Sequence, residues 1–319
     1  MQRVNYKTYE EISGINFVDT FGEIPKSIMK FKKSDELMKL IEFDDFEFGK
    51  VTNEKTNKPL FGFEDEVSQE FNKAKPKGGG YAKNLRYSIY NPNQAKFIIE
   101  YYTREGDLIL DPFMGRATRP MVSMFLNRSY IGFDTCEQTV NSNTELLRSK
   151  FPNKPPNIDW KLYHGDGIYL KELFELHPNS FFHGVPMFDA VFTCPPYYDI
   201  ETYSGEEGDL SYLSHEEFNN RIDILFGNLY KLIKPSSYAT KEFHPVIFTV
   251  GSFRKSNEGL LDMDYVFQQL AYKHGFVLHD KLFTENITPG AGFTFRRNYI
   301  HKFVCKNYET TLVFLKYKT

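Results

Sequence analysis

Short apolar runs alternate with amphipathic segments from about residue 87 to the end of the chain, and this alternation restricts the possible folds most strongly. The runs have the length and composition of buried strands in a parallel sheet. The chain therefore contains a regular succession of strands. We predict strands at Asp107–Leu110, Tyr130–Phe133, Trp160–Tyr163, Phe188–Thr193, Val246–Val250, Phe276–Asp280 and Thr311–Tyr317.

The segments between these runs have the apolar spacing of helices. We predict helices at Pro92–Tyr102, Arg119–Leu126, Glu137–Arg148, His215–Leu232 and Met263–His274. Strands that alternate with helices form a doubly wound α/β sheet, which is mostly parallel and carries helices on both faces. The last run is expected to pair antiparallel with its neighbour.

Residues 1–83 lack this pattern and form an irregular N-terminal segment in our prediction. The segment ends near Lys75–Gly80, a stretch of Pro, Gly and Lys that is typical of a solvated linker or of a loop facing phosphate groups. We therefore divide the chain into an accessory region, residues 1–83, and a main domain, residues 84–319.

Composition excludes several classes of protein. No window has the roughly 18 continuous apolar residues of a membrane span, and the N-terminus lacks the apolar core of a secretion signal. The three cysteines, Cys136, Cys194 and Cys305, are scattered and odd in number, which favours a reducing compartment over a disulfide framework or a zinc site. The formal net charge is −3, so binding to nucleic acid would need a local basic surface.

Three acidic residues follow three of the predicted strands: Asp111, Asp134 and Asp166. Ligands of doubly wound sheets bind at the carboxyl ends of the strands. Between the first two acids lies a turn that contains Phe113 and Gly115, and Asp134 is placed where an acid accepts hydrogen bonds from ribose hydroxyls. This order predicts a ligand that contains adenosine. The chain has no P-loop sequence, so ATP is not indicated.

A second motif, Thr193–Asp199, follows the fourth strand. Its two consecutive prolines, Pro195 and Pro196, fix the backbone and leave their carbonyls free as acceptors. Such acceptors favour a pyramidal amine nitrogen and stabilise the positive charge that grows on it during group transfer. The aromatic ring of Tyr197 suits stacking on a planar base.

These two motifs resemble the signatures of the S-adenosylmethionine-dependent DNA amino-methyltransferases. Asp111–Thr118 resembles the cofactor signature D-P-F-x-G-x-G-T, with Arg116-Ala117 as its departure, and Thr193–Tyr197 resembles the catalytic (D/N/S)-P-P-(Y/F/W) motif. The resemblance implies a Rossmann-like class I methyltransferase fold. It also implies that the cofactor is S-adenosylmethionine. Other segments, Asp199–Tyr203 and Gly251–Arg254 among them, resemble a phage and prophage subgroup.

The resemblance also assigns roles to the individual residues. The cofactor would be bound by Asp111, Phe113, Gly115, Asp134, Asp166 and Thr193, and catalysis would involve Cys194, Pro195, Pro196 and Tyr197. Cys194 is a departure, because a thiol is a weaker acceptor than the usual Asp, Asn or Ser. Either the second acceptor would then come from Thr193, Asp199 or the backbone, or the rate would be modest.

DNA is the expected partner, and no metal is expected. Tyr198 and two arginines in a Gly-rich loop, Arg296 and Arg297, are the candidate DNA contacts, and residues 1–83 are the other candidate region. The target would be the exocyclic amine of a flipped base, cytosine-N4 ahead of adenine-N6, as in restriction–modification. The setting would be the cytoplasm of a bacterial or phage-infected cell. Two alternatives stay open: an RNA methyltransferase, and a catalytically degenerate nucleic-acid-binding protein.

Overall fold

The computed structural model describes residues 28–29, 90–170, 187–196, 208–255, 259–285 and 308–318. Within these residues the chain forms ten strands and five α-helices. The strands are β1 (Ile28–Met29), β2 (Leu108–Asp111), β3 (Ser129–Asp134), β4 (Trp160–His164), β5 (Ala190–Thr193), β6 (Pro245–Val250), β7 (Phe253–Lys255), β8 (Gly259–Leu261), β9 (Val277–Glu285) and β10 (Tyr308–Leu315). The helices are α1 (Pro92–Tyr102), α2 (Thr118–Phe125), α3 (Glu137–Lys150), α4 (His215–Leu232) and α5 (Met263–Lys273).

Eight of the strands form one sheet in the order β1-β9-β10-β6-β5-β2-β3-β4. Strands β6, β5, β2, β3 and β4 are parallel to one another. Strand β10 is inserted antiparallel between β6 and β9. The predicted doubly wound, mostly parallel sheet with an antiparallel last strand is therefore confirmed.

Two apolar clusters cover the two faces of this sheet. On one face, side chains of α4 and α5 such as Phe226 and Phe267 pack against Phe248 of β6. On the other face, side chains of α1, α2 and α3 pack against the alternate positions of the strands, including Phe192 of β5. The central strands are apolar throughout because both of their faces are buried.

Local sequence signals explain where the two best-predicted helices begin. The side chain of Asn91 accepts hydrogen bonds from the backbone N–H groups of Asn93 and Gln94 ahead of α1. Ser214 and Glu217 form a capping box at the start of α4. Both helices begin and end at the predicted residues.

The structure adds one contact between the predicted accessory region and the main domain. Ile28 and Met29 form β1, which pairs parallel with Phe283 and Thr284 at the edge of the main sheet. The division at residue 83 stays a prediction. None of the described helices is long and apolar enough to span a membrane.

Candidate active site

Four strand ends bring the predicted site residues to one edge of the sheet. Asp111, Asp134 and Thr193 are the last residues of β2, β3 and β5, and Asp166 follows the end of β4. Since β3, β2 and β5 are adjacent and parallel, their carboxyl ends lie side by side. The two sequence motifs therefore share one edge.

Residues 112–115 form a turn after β2, the glycine turn. Hydrogen bonds from two neighbouring elements fix this turn, and an open space lies beside it. The backbone N–H of Gly115 donates to Oδ2 of Asp134 at 2.9 Å, and its carbonyl accepts from Nδ2 of Asn143 at 2.7 Å. Gly115 has a φ of +55°, a conformation that glycine adopts without strain, and a Cβ added there would meet no atom within 4 Å. The turn thus exposes its backbone to an open space beside Asp134.

Asp134 carries a carboxylate with a perturbed pKa. Burial raises the pKa of Asp134 to about 6, although hydrogen bonds from the backbone N–H groups of Cys136 and Gly115 oppose the increase. Each carboxylate oxygen accepts one of these bonds and keeps capacity for another. Hydroxyl donors of a ligand would stabilise the ionised form further.

Asp111 joins the two motifs directly. Its Oδ1 accepts from the hydroxyl of Thr193 at 2.6 Å and from the backbone N–H of Phe113 at 3.1 Å. Its Oδ2 accepts from Nε of Arg119 and from the hydroxyl of Tyr130, each at 2.6 Å. The carboxylate is fully buried and makes four hydrogen bonds within the protein. The predicted contact of Asp111 with a ligand stays a prediction.

Arg119 is a buried partner that the sequence reading did not identify as a site residue. Burial lowers its pKa, but the charge of Asp111 outweighs this effect and raises the pKa of the guanidinium above its usual value. Nη2 of Arg119 also donates to the carbonyls of Phe113 at 2.5 Å and Met114 at 3.0 Å. Nothing in the sequence separates this arginine from a surface arginine on a short helix.

Asp166 belongs to a loop that packs against the glycine turn. Its Oδ1 accepts from the backbone N–H of Ile168 at 3.0 Å, and its Oδ2 pairs with Arg221 of α4. A Cβ added to Gly167 would lie 2.1 Å from the carbonyl oxygen of Pro112, so only glycine permits this close approach. The third predicted acid therefore borders the same region as the first two.

Residues 193–196, which include Pro195 and Pro196, form the Pro-Pro corner. This corner leaves the sheet directly beside the glycine turn. The Thr193 hydroxyl donates to Asp111 and accepts from the backbone N–H of Phe113 at 3.2 Å. Cys194 and Pro196 are half-buried, and Pro195 is buried. This hydroxyl uses its proton and one lone pair in these bonds and keeps its second lone pair, so all three expected sources of a second acceptor stay predictions.

Several predicted site residues lie outside the described residues. They are Tyr197, Tyr198, Asp199, Arg296 and Arg297. Among the described residues, no group of three or more His, Cys, Asp or Glu side chains is arranged to hold a metal ion.

Part of the chain matches the sequence pattern of a known protein family. Residues 11–145 match the family described as DNA methylase. This range includes the glycine turn and Asp134, and it ends before the Pro-Pro corner. It also crosses residue 83, at which we divide the chain.

Two curated relatives are similar over shorter segments. The Type II methyltransferase M.BamHI of Bacillus amyloliquefaciens is 34% identical over 98 residues, which is 31% of this chain and 21% of that protein. The Type II methyltransferase M.HpaI of Haemophilus parainfluenzae is 34% identical over 84 residues, which is 25% of this chain and 26% of that protein. The chain thus matches only about a fifth to a quarter of each relative's length.

Solved structures resemble the chain at low sequence identity. An rRNA methylase from Streptococcus thermophilus has a TM-score of 0.41 and 8% identity, and the similarity covers 72% of this chain and 99% of that chain. Magnesium protoporphyrin IX methyltransferase from Synechocystis with bound SAM has a TM-score of 0.43 and 12% identity, and the similarity covers 80% and 93% of the two chains.

Replacing Asp111 with Asn tests the buried ion pair. The substitution keeps the side-chain shape but leaves the Arg119 cation buried without its counter-charge. We expect the free energy of unfolding to fall by about 3–5 kcal/mol. Urea unfolding followed by circular dichroism measures this change.

The matched control is Asp159→Asn, which removes the charge from a partly exposed ion pair with Lys154. A change below about 1 kcal/mol is expected there. If Asp111→Asn were no more destabilising than this control, the buried pair would not hold the two motifs together.

Proposed function

We propose that this chain is a DNA amino-methyltransferase, which transfers a methyl group from S-adenosylmethionine to the exocyclic amine of a DNA base. One observation carries the proposal. The 2.6 Å hydrogen bond between Asp111 and Thr193 connects residues 82 positions apart and sets the glycine turn beside the Pro-Pro corner. A methyl donor at the turn and an amine at the corner would then meet at one sheet edge.

The residues at this edge fit S-adenosylmethionine. The open space at Gly115 admits a ligand close to the backbone, and the free acceptor capacity of Asp134 suits the two ribose hydroxyls. Asp166 borders the region where the adenine ring would lie, and Phe113 lies on the turn. When bound, S-adenosylmethionine supplies an electrophilic methyl group on a sulfonium centre.

The corner residues act on the amine. We assign to the Pro195 carbonyl the acceptance of one N–H bond of the target amine, which favours a pyramidal nitrogen and stabilises its growing positive charge. The second acceptor is the Thr193 hydroxyl, which keeps one lone pair after its bonds to Asp111 and Phe113, or a backbone carbonyl or Asp199. Holding the amine in line with the methyl group supplies most of the remaining rate.

The base would be rotated out of the duplex and stacked on Tyr197. Flipping costs a few kcal/mol, and stacking on an aromatic ring returns about 1–3 kcal/mol. Tyr198, Arg296 and Arg297 are the proposed DNA contacts. Cytosine-N4 is our first choice of target and adenine-N6 the second. The proposed setting is restriction–modification in the cytoplasm of a bacterial or phage-infected cell.

Transfer of a labelled methyl group tests this function. The purified chain is incubated with S-adenosylmethionine labelled on its methyl group and with unmethylated genomic DNA or total RNA. The nucleosides are then identified by mass spectrometry. We expect the label in DNA, as N4-methylcytosine or N6-methyladenine, with Tyr197→Ala strongly reduced in activity and nearly normal in cofactor affinity.

Each alternative gives a distinct result in the same assay. Label that enters only RNA would replace the DNA proposal with an RNA methyltransferase. Normal cofactor affinity with no transfer to either nucleic acid would indicate a catalytically degenerate binding protein.

Replacing Gly115 with Ala tests the cofactor position. The added methyl group points into the open space at the turn, so we expect the Kd of S-adenosylmethionine to rise at least about tenfold, measured by calorimetry. The backbone strain of a positive φ costs about 1–2 kcal/mol of stability.

Gly106→Ala is the matched control, because Gly106 also has a positive φ of +87° and also has no atom within 4 Å of an added Cβ. Gly106 lies before β2, at the opposite edge of the sheet. Its variant should lose similar stability and keep its affinity. Equal affinities of the two variants would place the cofactor elsewhere.

Cofactor affinity should depend on pH through Asp134. Its pKa is raised to about 6, so the carboxylate is ionised above pH 6 and becomes protonated as the pH falls below it. Only the ionised form offers all of its lone pairs to the ribose hydroxyls. The Kd of S-adenosylhomocysteine should therefore rise up to about tenfold per pH unit below 6 and level off above 7.

Asp134→Asn separates this effect from other titrating groups. The variant should bind weakly, with an affinity that does not change between pH 5 and 7.5. A pH dependence that persists unchanged in Asp134→Asn would assign the titration to another group.

A further inference from the structure

Arg119 occupies the first turn of α2, beneath the glycine turn, and only 4% of its surface is exposed. We propose that Arg119 is a positioning residue for cofactor binding. It fixes the peptide unit between Met114 and Gly115, and this peptide in turn holds the Asp134 carboxylate in place for the ribose. The inference rests on the proposed function, because it assumes that Asp134 binds the cofactor.

The hydrogen bonds of one peptide unit carry this inference. The Met114 carbonyl accepts from Nη2 of Arg119 at 3.0 Å, and the N–H of Gly115 in the same peptide donates to Oδ2 of Asp134 at 2.9 Å. A peptide unit is planar and rigid, with its C=O and N–H groups pointing in opposite directions. Arg119 and Asp134 therefore hold opposite ends of one rigid unit, although they make no direct hydrogen bond.

The preceding peptide unit repeats the arrangement. The Phe113 carbonyl accepts from the same Nη2 at 2.5 Å, and the N–H of Met114 donates to the carbonyl of Phe133 in β3 at 2.8 Å. Two successive peptides of the turn are thus clamped between Arg119 on one side and the end of β3 on the other. A change in the guanidinium position would move both.

The guanidinium is itself held in a defined orientation. Nε donates to Asp111 at 2.6 Å. The guanidinium carbon lies 5.4 Å from the ring centroid of Tyr90 and 5.8 Å from that of Phe192. The guanidinium serves the carboxylate from Nε and the two carbonyls from Nη2, and the single nitrogen of a lysine cannot occupy both of these positions. The site therefore requires arginine, and a positive charge alone is insufficient.

A second buried arginine provides a matched control. Arg128 is 5% exposed and also clamps backbone carbonyls, those of Thr103 at 2.8 Å and Leu126 at 2.5 Å. It immediately precedes β3 and therefore lies at the opposite edge of the sheet from Asp134. Its loss would disturb the fold in a comparable way without touching the glycine turn.

The experiment compares Arg119→Lys with Arg128→Lys against two ligands. The ligands are S-adenosylhomocysteine and its 2′,3′-dideoxy analogue, which lacks the ribose hydroxyls, and the readouts are the Kd from calorimetry and the Tm. In the wild type the analogue should bind at least about tenfold more weakly. Both variants should lose Tm. Only Arg119→Lys should bind S-adenosylhomocysteine at least about tenfold more weakly than the wild type does. In this variant the Kd values of the two ligands should differ by less than about threefold.

If Arg119→Lys does not fold, the charge-neutral pair Asp111→Asn with Arg119→Met replaces it, because removing both buried charges is tolerated better than removing one. The ratio of the two Kd values is measured within each variant, and it is therefore unaffected by a general loss of affinity. In the double variant we expect this ratio to fall below about three, as in Arg119→Lys.

The outcomes separate this inference from the proposed function. A wild type that binds neither ligand overturns both. A wild type that discriminates between the ligands, combined with Arg119→Lys that discriminates equally, overturns the positioning role alone. Loss of discrimination in Arg128→Lys to the same extent would also overturn it, because the effect would then be a general consequence of destabilisation.

Discussion

The buried carboxylate of Asp111 is the interaction on which the rest of the site depends. Four donors surround it, and two of them, Arg119 and Thr193, come from different motifs. A buried charge is tolerated only when it is paired and its hydrogen bonds are satisfied. Because each partner is needed to satisfy the others, the glycine turn and the start of the Pro-Pro corner have one stable arrangement.

This arrangement leaves the carboxylate of Asp134 available at the open edge. Burial raises the pKa of both Asp134 and Asp166, which means that their ionised forms lack full solvation. Hydroxyl donors of a ligand would stabilise the Asp134 carboxylate, whereas Asp166 is already paired with Arg221. Perturbed carboxyl groups that converge at one edge are typical of functional sites.

The sequence predicts most of this fold because the determining signals are local. Apolar runs identify the strands, and caps such as Asn91 and Ser214 fix the beginnings of α1 and α4. The resemblance in the two motifs predicts the family, and the match of residues 11–145 to the family described as DNA methylase supports it over that part of the chain. The phage subgroup stays a prediction.

Two features that the sequence does not predict, strand β1 and the burial of Arg119, depend on contacts distant in the chain. Strand β1 has two residues, Ile28 and Met29, too few for any periodic pattern, and it exists because it pairs with the edge of β9. Arg119 looks like a surface residue of a short helix. Its burial follows from the packing of Tyr90 and Phe192 around it, which no local pattern encodes.

A crystal structure of the protein with S-adenosylhomocysteine tests the central claim most directly, which is that both motifs face one cavity. The account predicts ribose oxygens within hydrogen-bond distance of Asp134 and a sulfur atom within about 7 Å of the Pro195 carbonyl oxygen, enough for a methyl group and an amine nitrogen between them. A ligand bound away from Asp134, or packed side chains between the sulfur and Pro195, would contradict it.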